Sequence, residues 1–200
     1  MAVVTWNPSD KSAGITLSNG NLTAVSTATP GGVRATQPYS GSGKYYWETT
    51  ASGWSGNTAT GIASASAVLT TVGATPTQAA LVYVSGNIWV NNANSGSTLG
   101  ARGTADTIGI ALDVAAGRVW FRVAPSGNWN GSGTANPATN TGGISVSALS
   151  GAVYQLFCAG PVVNSCTLNA AGAFSGTVPS GFVPAGDATA ARQFAVSVVT

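Results

Sequence analysis

The sequence predicts an all-β fold, an antiparallel two-sheet β-sandwich. Turn signals recur roughly every 8–15 residues, and the stretches between them are short and rich in β-branched and aromatic residues. These signals are SNGN at 18–21, PGG at 30–32, SGSG at 40–43, SGN at 85–87, AAG at 115–117, SGNWNGSG at 126–133 and AAG at 170–172. Helical periodicity is nearly absent: the one candidate is the Ala-rich stretch 187–192, with β-branched residues crowding in soon after it. Short strands between regular turns pack as a sandwich or barrel.

Each element has a local reason. Strands at 15–17 and 21–25 flank Ser18-Asn19-Gly20, where Asn and Gly tolerate a positive φ. The strand 44–50 alternates Tyr45, Trp47 and Thr49 against Tyr46 and Glu48. A strand at 60–65 follows, then 80–84 and 87–91, joined at Ser85-Gly86. Strands 107–113 and 118–123 make a hairpin through Val114-Ala115-Ala116-Gly117. Strands 153–159 and 165–169 are expected as another, through Gly160-Pro161, and 193–199 closes the chain. In 107–113, Ile108, Ile110 and Leu112 point one way. Gly109 and Ala111 point the other, where a second layer can approach closely. Residues 1–185 read as one domain, and 186–200 as a C-terminal strand or arm that completes the home sheet or pairs with a neighbour's.

Composition excludes several function classes. The chain has 200 residues, 44% hydrophobic but only 6% charged, with a net charge of +2. Ala, Gly, Ser, Thr and Asn replace the missing charge. Such a surface suits packing against copies of itself better than free solubility. Disordered chains are charged, and a spanning helix needs about 18 consecutive apolar residues, so neither disorder nor membrane insertion is expected. The seven Lys and Arg residues are dispersed, which argues against a nucleic-acid partner, since that binding needs a clustered basic footprint. The first residues, MAVVTWNPSD, lack the pattern of a secretory signal.

Candidates for chemistry are few. There is no His, which removes Ser-His-Asp and Cys-His triads. A glycosidase needs two carboxyls roughly 5–9.5 Å apart across one cleft; Glu48 with Asp106 or Asp113 is the conceivable pair, but Asp113 reads better as a turn carboxylate. No catalytic residue and no cofactor is expected. Asn91, Asn92 and Asn94 lie close together, yet amides alone hold calcium poorly, so no metal is expected. Cys158 and Cys166 would stand opposite each other in a hairpin centred on Val162, as a disulfide or as two buried reduced thiols; a reducing assembly site favours the thiols. Long loops carry binding on a rigid sandwich. The loop candidates are Tyr39, Trp54, Asn91, Asn92, Asn94, Trp129 and Asn130, because exposed aromatics and amides stack on sugars or anchor protein partners.

Several of these blocks also occur in a familiar order: Trp6-Asn7 with LSNGNLT at 17–23, GKYYWE at 43–48, GIA at 61–63, DTIGIALD at 106–113, GRVWF at 117–121, GNWNGSG at 127–133, PATNTGG at 137–143 and VPSGF at 178–182. In this order they resemble the SPRY domains of the concanavalin A-like class, in the form common in bacteriophage and bacterial sequences. The resemblance implies a β-sandwich that binds partners through variable loops at one end. Together with the low charge, it points to a non-enzymatic structural or adhesion component on the exterior of a phage-like particle, assembled in the bacterial cytoplasm: a capsid decoration, fibre, spike or tail accessory protein. Its expected partners are other virion proteins, copies of itself and a host-surface glycan. Two alternatives are a stand-alone lectin-like module and a peptide-binding SPRY adaptor.

Overall fold

The computed structural model describes residues 3–27, 29–70 and 78–187. Its strands in chain order are β1 (Trp6–Lys11), β2 (Ile15–Ser18), β3 (Thr23–Ser26), β4 (Gly31–Ala35), β5 (Lys44–Ala51), β6 (Ala59–Ser64), β7 (Ala79–Tyr83) and β8 (Asn87–Val90). They continue as β9 (Ala93–Thr98), β10 (Thr107–Asp113), β11 (Arg118–Val123), β12 (Ile144–Ser145), β13 (Val153–Ala159), β14 (Ser165–Asn169) and β15 (Val183–Pro184). One sheet runs β1-β4-β13-β6-β7-β8-β9 and the other β12-β11-β10-β5-β14-β3-β2. All of these ladders are antiparallel except the short parallel pairing of β15 with β5. The sandwich read from the sequence is the observed architecture. No helix among the described residues is long and apolar enough to cross a membrane.

Alternation along the strands divides the apolar residues into three layers. Between the sheets lie Trp6, Trp47, Ile62, Ile108, Ile110, Leu112, Phe121 and Phe157, all essentially without solvent contact. The other faces are covered too. Outside the first sheet, Leu81, Leu156 and Cys158 pack with alanines of β6 and β7. Outside the second, Tyr46, Ala111, Trp120 and Phe182 form a cluster against which Trp129, Phe174 and Val178 rest. Trp120 and Phe121 therefore fill two different cores from one strand. Gly109 has the role its spacing implies, since a Cβ there would lie 2.6 Å from the Tyr46 hydroxyl. The β10–β11 hairpin has the expected register, from Ile108 opposite Val123 to Asp113 opposite Arg118. Asp113 Oδ1 closes its turn by accepting from Ala116 N at 2.9 Å.

Other expectations are corrected. Residues 153–159 and 165–169 are strands, but not a hairpin: β13 lies between β4 and β6 in one sheet, β14 between β3 and β5 in the other. The link through Gly160-Pro161 crosses the sandwich, so Cys158 and Cys166 do not stand opposite each other. Both are free thiols: Cys166 faces the inter-sheet core and Cys158 the outer layer of the first sheet. The expected turn at 30–32 is instead the start of β4, with Gly31 and Gly32 bonded in register to Ala159 and Cys158. The one helix candidate, 187–192, and the strand expected at 193–199 lie outside the described residues, save Asp187. That residue ends a short 3-10 turn (Ala185–Asp187), whose Gly186 N bonds Ala170 O at 2.7 Å.

Candidate ligand-binding cleft

The loop residues singled out from the sequence divide sharply once placed. Tyr39 is 1% exposed. Its ring stacks on Trp47, and its hydroxyl accepts from Gln155 Nε2 at 2.6 Å and donates to Ala185 O at 3.2 Å. Trp54 is 8% exposed and belongs to the inter-sheet core. Asn130 is also buried, in a left-handed conformation; its Oδ1 accepts from Phe121 N and its Nδ2 donates to Gly142 O, both at 2.9 Å. It fastens the 128–143 loop to β11. Trp129 is half-buried over the second sheet, with the Arg122 guanidinium 4.5 Å from its ring centre and Tyr46 edge-on beneath. These four residues hold the fold and are not free binding groups. A glycine-rich polar loop looks exposed in sequence, but here its aromatic folds back to cover apolar strand surface.

The three asparagines are exposed but have turn duties. Asn91 and Asn92, with φ of 48° and 70°, form the two-residue turn between β8 and β9, where two successive left-handed residues suit the strand twist. Asn91 Oδ1 accepts from Gln78 N, and Asn94 Oδ1 from Gly96 N. Only Asn94 reaches a candidate site: it stands directly opposite Trp89 across the β8–β9 ladder and therefore shares its face.

That face carries the strongest candidate. A cleft of about 260 Å³ is lined by Gly56, Asn57, Tyr83, Val84, Ser85, Asn87 and Trp89. Leu81 pairs with Trp89 and lies in the outer layer of the first sheet, so Tyr83, two residues on, and Trp89 project to the same outer side. Their rings meet nearly at right angles, 78° at 6.3 Å. One wall is the loop before β6. Asn164 Nδ2 reaches across to Ser55 O and the Thr58 hydroxyl, and Thr58 O accepts from Val84 N at 3.0 Å. The other wall is the β7–β8 turn, where Gly86 N bonds Tyr83 O at 2.7 Å and Gly86 O accepts from Leu99 N at 2.9 Å. The first wall is thus held by the Asn164 side chain and a backbone bond, and the second by backbone bonds and by the Ser85 hydroxyl, which accepts from Asn87 N at 3.3 Å.

The chemistry of the cleft is uncharged. No acid or base among the described residues lines it. The indole N–H of Trp89 and the side-chain amides of Asn57 and Asn87 have no hydrogen-bond partner among the described residues. The Tyr83 hydroxyl is buried beneath the sheet surface, also without a partner there, and burial pushes its ionisation well above the usual tyrosine range. Sequence reading missed this site because its parts come from 56–57 and 83–89, and β8 alone shows only an ordinary alternating strand. The usable signal is Asn-x-Trp directly after a Ser-Gly turn, with Tyr83 two residues before it.

With the geometry in place, the molecule can be set beside solved structures. The SPRY domain of human HERC1 superposes with a TM-score of 0.62 at 16% identity, covering 82% of this chain and 96% of that one. The TRIM65 PSpry domain gives 0.60 at 16% identity, covering 84% and 92%. The fold is that of a SPRY domain. Stonustoxin shares it at a TM-score of 0.58 and 22% identity, over 84% of this chain but 27% of the toxin chain. No family model matches the sequence, and no curated protein matches it. In this SPRY sandwich the cleft sits on the outer face of the first sheet, where the two edge-ward strands β8 and β9 begin and end.

Proposed function

We propose that the chain is a non-enzymatic binding module on the exterior of a bacteriophage or phage-like particle, an adhesion or decoration component set among copies of itself and other virion proteins, with a host-surface glycan as its ligand. The observation that carries this reading is a contrast between the acids and the cleft. Asp10 pairs with Arg34 at 2.8 Å, Asp106 with Arg102 at 3.4 Å and Asp113 with Lys44 at 3.2 Å. Glu48 accepts from Tyr46 Oη at 2.6 Å and from the backbone N–H of Ser175 and Gly176 at 2.7 Å. Each of these carboxylates serves the fold, whereas the cleft is aromatic and amide-lined, which suits recognition rather than proton transfer. The SPRY fold supports a binding role, while the phage-like order of motifs and the 6% charged composition support the particle setting.

Immunogold labelling of purified particles tests the setting: gold at regular exterior positions is expected, and particles devoid of the chain overturn it. Incubating the purified chain with host cells and with their extracted surface glycans tests the role. Adherence without release of reducing sugar is expected. Sugar release that disappears in Glu48→Gln would establish an enzyme instead.

A further inference from the structure

We propose that the Tyr83–Trp89 cleft is a subsite for a single neutral hexopyranose ring, which stacks its C–H face on Trp89 and takes hydrogen bonds from Asn57, Asn87 and Ser85. This inference rests on the binding-module reading and names the ligand class and the place.

Three features of the cleft select that ligand. The first is its surface. A pyranose has an apolar face of C–H groups and an equatorial belt of hydroxyls, so it needs an aromatic plane with short polar groups around its edge. Tyr83 and Trp89, with their rings at 78°, line the same space together with Asn57, Asn87 and Ser85.

The second is free hydrogen-bonding capacity. Each amide brings two donors and an acceptor. Those of Asn57 and Asn87 are uncommitted among the described residues, as is the Trp89 indole N–H. Other amides near the strand ends are spent: Asn130 on Phe121 and Gly142, and Asn164 on Ser55 and Thr58. Uncommitted amides beside aromatic rings, on walls already held by hydrogen bonds that these amides do not make, constitute a prepared site that gains partners from the ligand without reorganising.

The third is size and charge. At about 260 Å³ the cleft falls below the span typical of drug-sized ligands, roughly 300–1,000 Å³. One ring fits, and neighbouring sugar units would extend outside, past Asn94 on the same face. With no charged residue in its lining among the described residues, it offers no counter-charge to an acidic sugar. Among the described residues that line it there is no carboxylate to hold a bridging calcium either.

The test uses the whole chain against an array of neutral and acidic glycans, followed by calorimetry with the best neutral oligosaccharide. Binding is expected to neutral hexose-containing glycans, to be insensitive to EDTA and to change little between low and high salt. Trp89→Ala should weaken it at least about tenfold, and Asn87→Ala several-fold. Trp89→Phe should preserve much of the binding measured by calorimetry while abolishing the ligand-induced change in tryptophan emission, which places the ring contact at Trp89 even if the alanine variant folds poorly. Binding confined to acidic glycans, or neutral-glycan binding that Asn87→Ala leaves unchanged and whose tryptophan emission change survives in Trp89→Phe, overturns the subsite. If the wild-type chain adheres to host cells but to no neutral glycan, the subsite fails and the binding-module reading stands. If it adheres to neither cells nor glycans, both fail.

Discussion

The Glu48 carboxylate projects from the outer face of β5 into the layer that covers the second sheet, and it is 2% exposed. Its oxygens accept from the Tyr46 hydroxyl and from the N–H groups of Ser175 and Gly176, all within 2.7 Å. Those two N–H groups belong to an irregular segment with no ladder to satisfy them, so the carboxylate provides the partner that buried backbone requires. Glu48→Gln keeps the volume but turns an NH₂ group toward at least one donor. The expected loss is about 1–3 kcal/mol, read as a lower urea midpoint at unchanged m-value. An unchanged midpoint would mean the 174–178 segment finds other partners. The two cysteines give a second residue-scale prediction. Burial pushes both thiols well above the usual range, Cys158 in the outer layer of the first sheet and Cys166 in the inter-sheet core. A thiol reagent at pH 8 should therefore find neither in the native protein, and both after denaturation without reductant. Fewer than two in denaturant would reveal a disulfide.

At the scale of elements, the β8–β9 hairpin places Trp89 opposite Asn94 and so depends on its Asn91-Asn92 turn. An L-residue other than Asn or Gly in the left-handed region costs roughly 1–2 kcal/mol. Asn91→Ala should accordingly lower the melting temperature and weaken ligand binding in parallel, because it loosens β8. Asn92→Gly should retain both. A melting temperature unmoved by Asn91→Ala would show that the turn does not hold the hairpin. The same hairpin shows where local sequence stops being informative. β10 and β11 were legible to the residue because each alternates cleanly and a four-residue glycine-containing turn joins them. β9 was not, since Ala-Asn-Ser-Gly-Ser-Thr is exposed almost throughout and has no buried face to impose a period. β1 was hidden by Pro8 and a register shift, and β4 by its two leading glycines. β12 and β15, with two residues each, carry no periodicity at all. The crossing between β13 and β14 was unreadable for a different reason: a short glycine-proline link permits either a hairpin or a change of sheet. Only the distant partners, β5 and β3 for Cys166 and β4 and β6 for Cys158, decide it. The binding cleft shares that property, being assembled from segments nearly thirty residues apart.

For the molecule as a whole, the consequence of so little charge is an uneven response to pH. The sequence holds no histidine, so no side chain with an ordinary pKa changes charge between about pH 5 and 8. The groups that burial does perturb lie on the alkaline side. Burial is the leading cause in each case, holding Tyr39, Tyr46 and Tyr83, together with Cys158 and Cys166, in their neutral forms far above their usual ranges; for Tyr46 the bond to Glu48 adds to it. In the unfolded chain the same groups ionise normally, thiols near pH 8.5 and tyrosines near 10. Above those values the native state binds more protons than the unfolded state, so unfolding becomes easier as pH rises. Below them both states are protonated and the contribution of these groups to stability is complete. Stability should therefore begin to fall near pH 8.5 and fall more steeply beyond 10. Urea midpoints measured from pH 7 to 11 check this. A variant with both cysteines replaced by alanine separates the two classes, since it should lose the first decline and keep the second. A midpoint unchanged up to pH 11 would mean that the tyrosine hydroxyls and thiols reach water in the native state, contrary to the sealed outer layers in which Tyr46 and Cys158 lie. The neutral cleft should remain indifferent until that global loss begins, because none of the groups it offers a ligand titrates below pH 8. Ligand affinity should then change with pH only where the fold itself gives way.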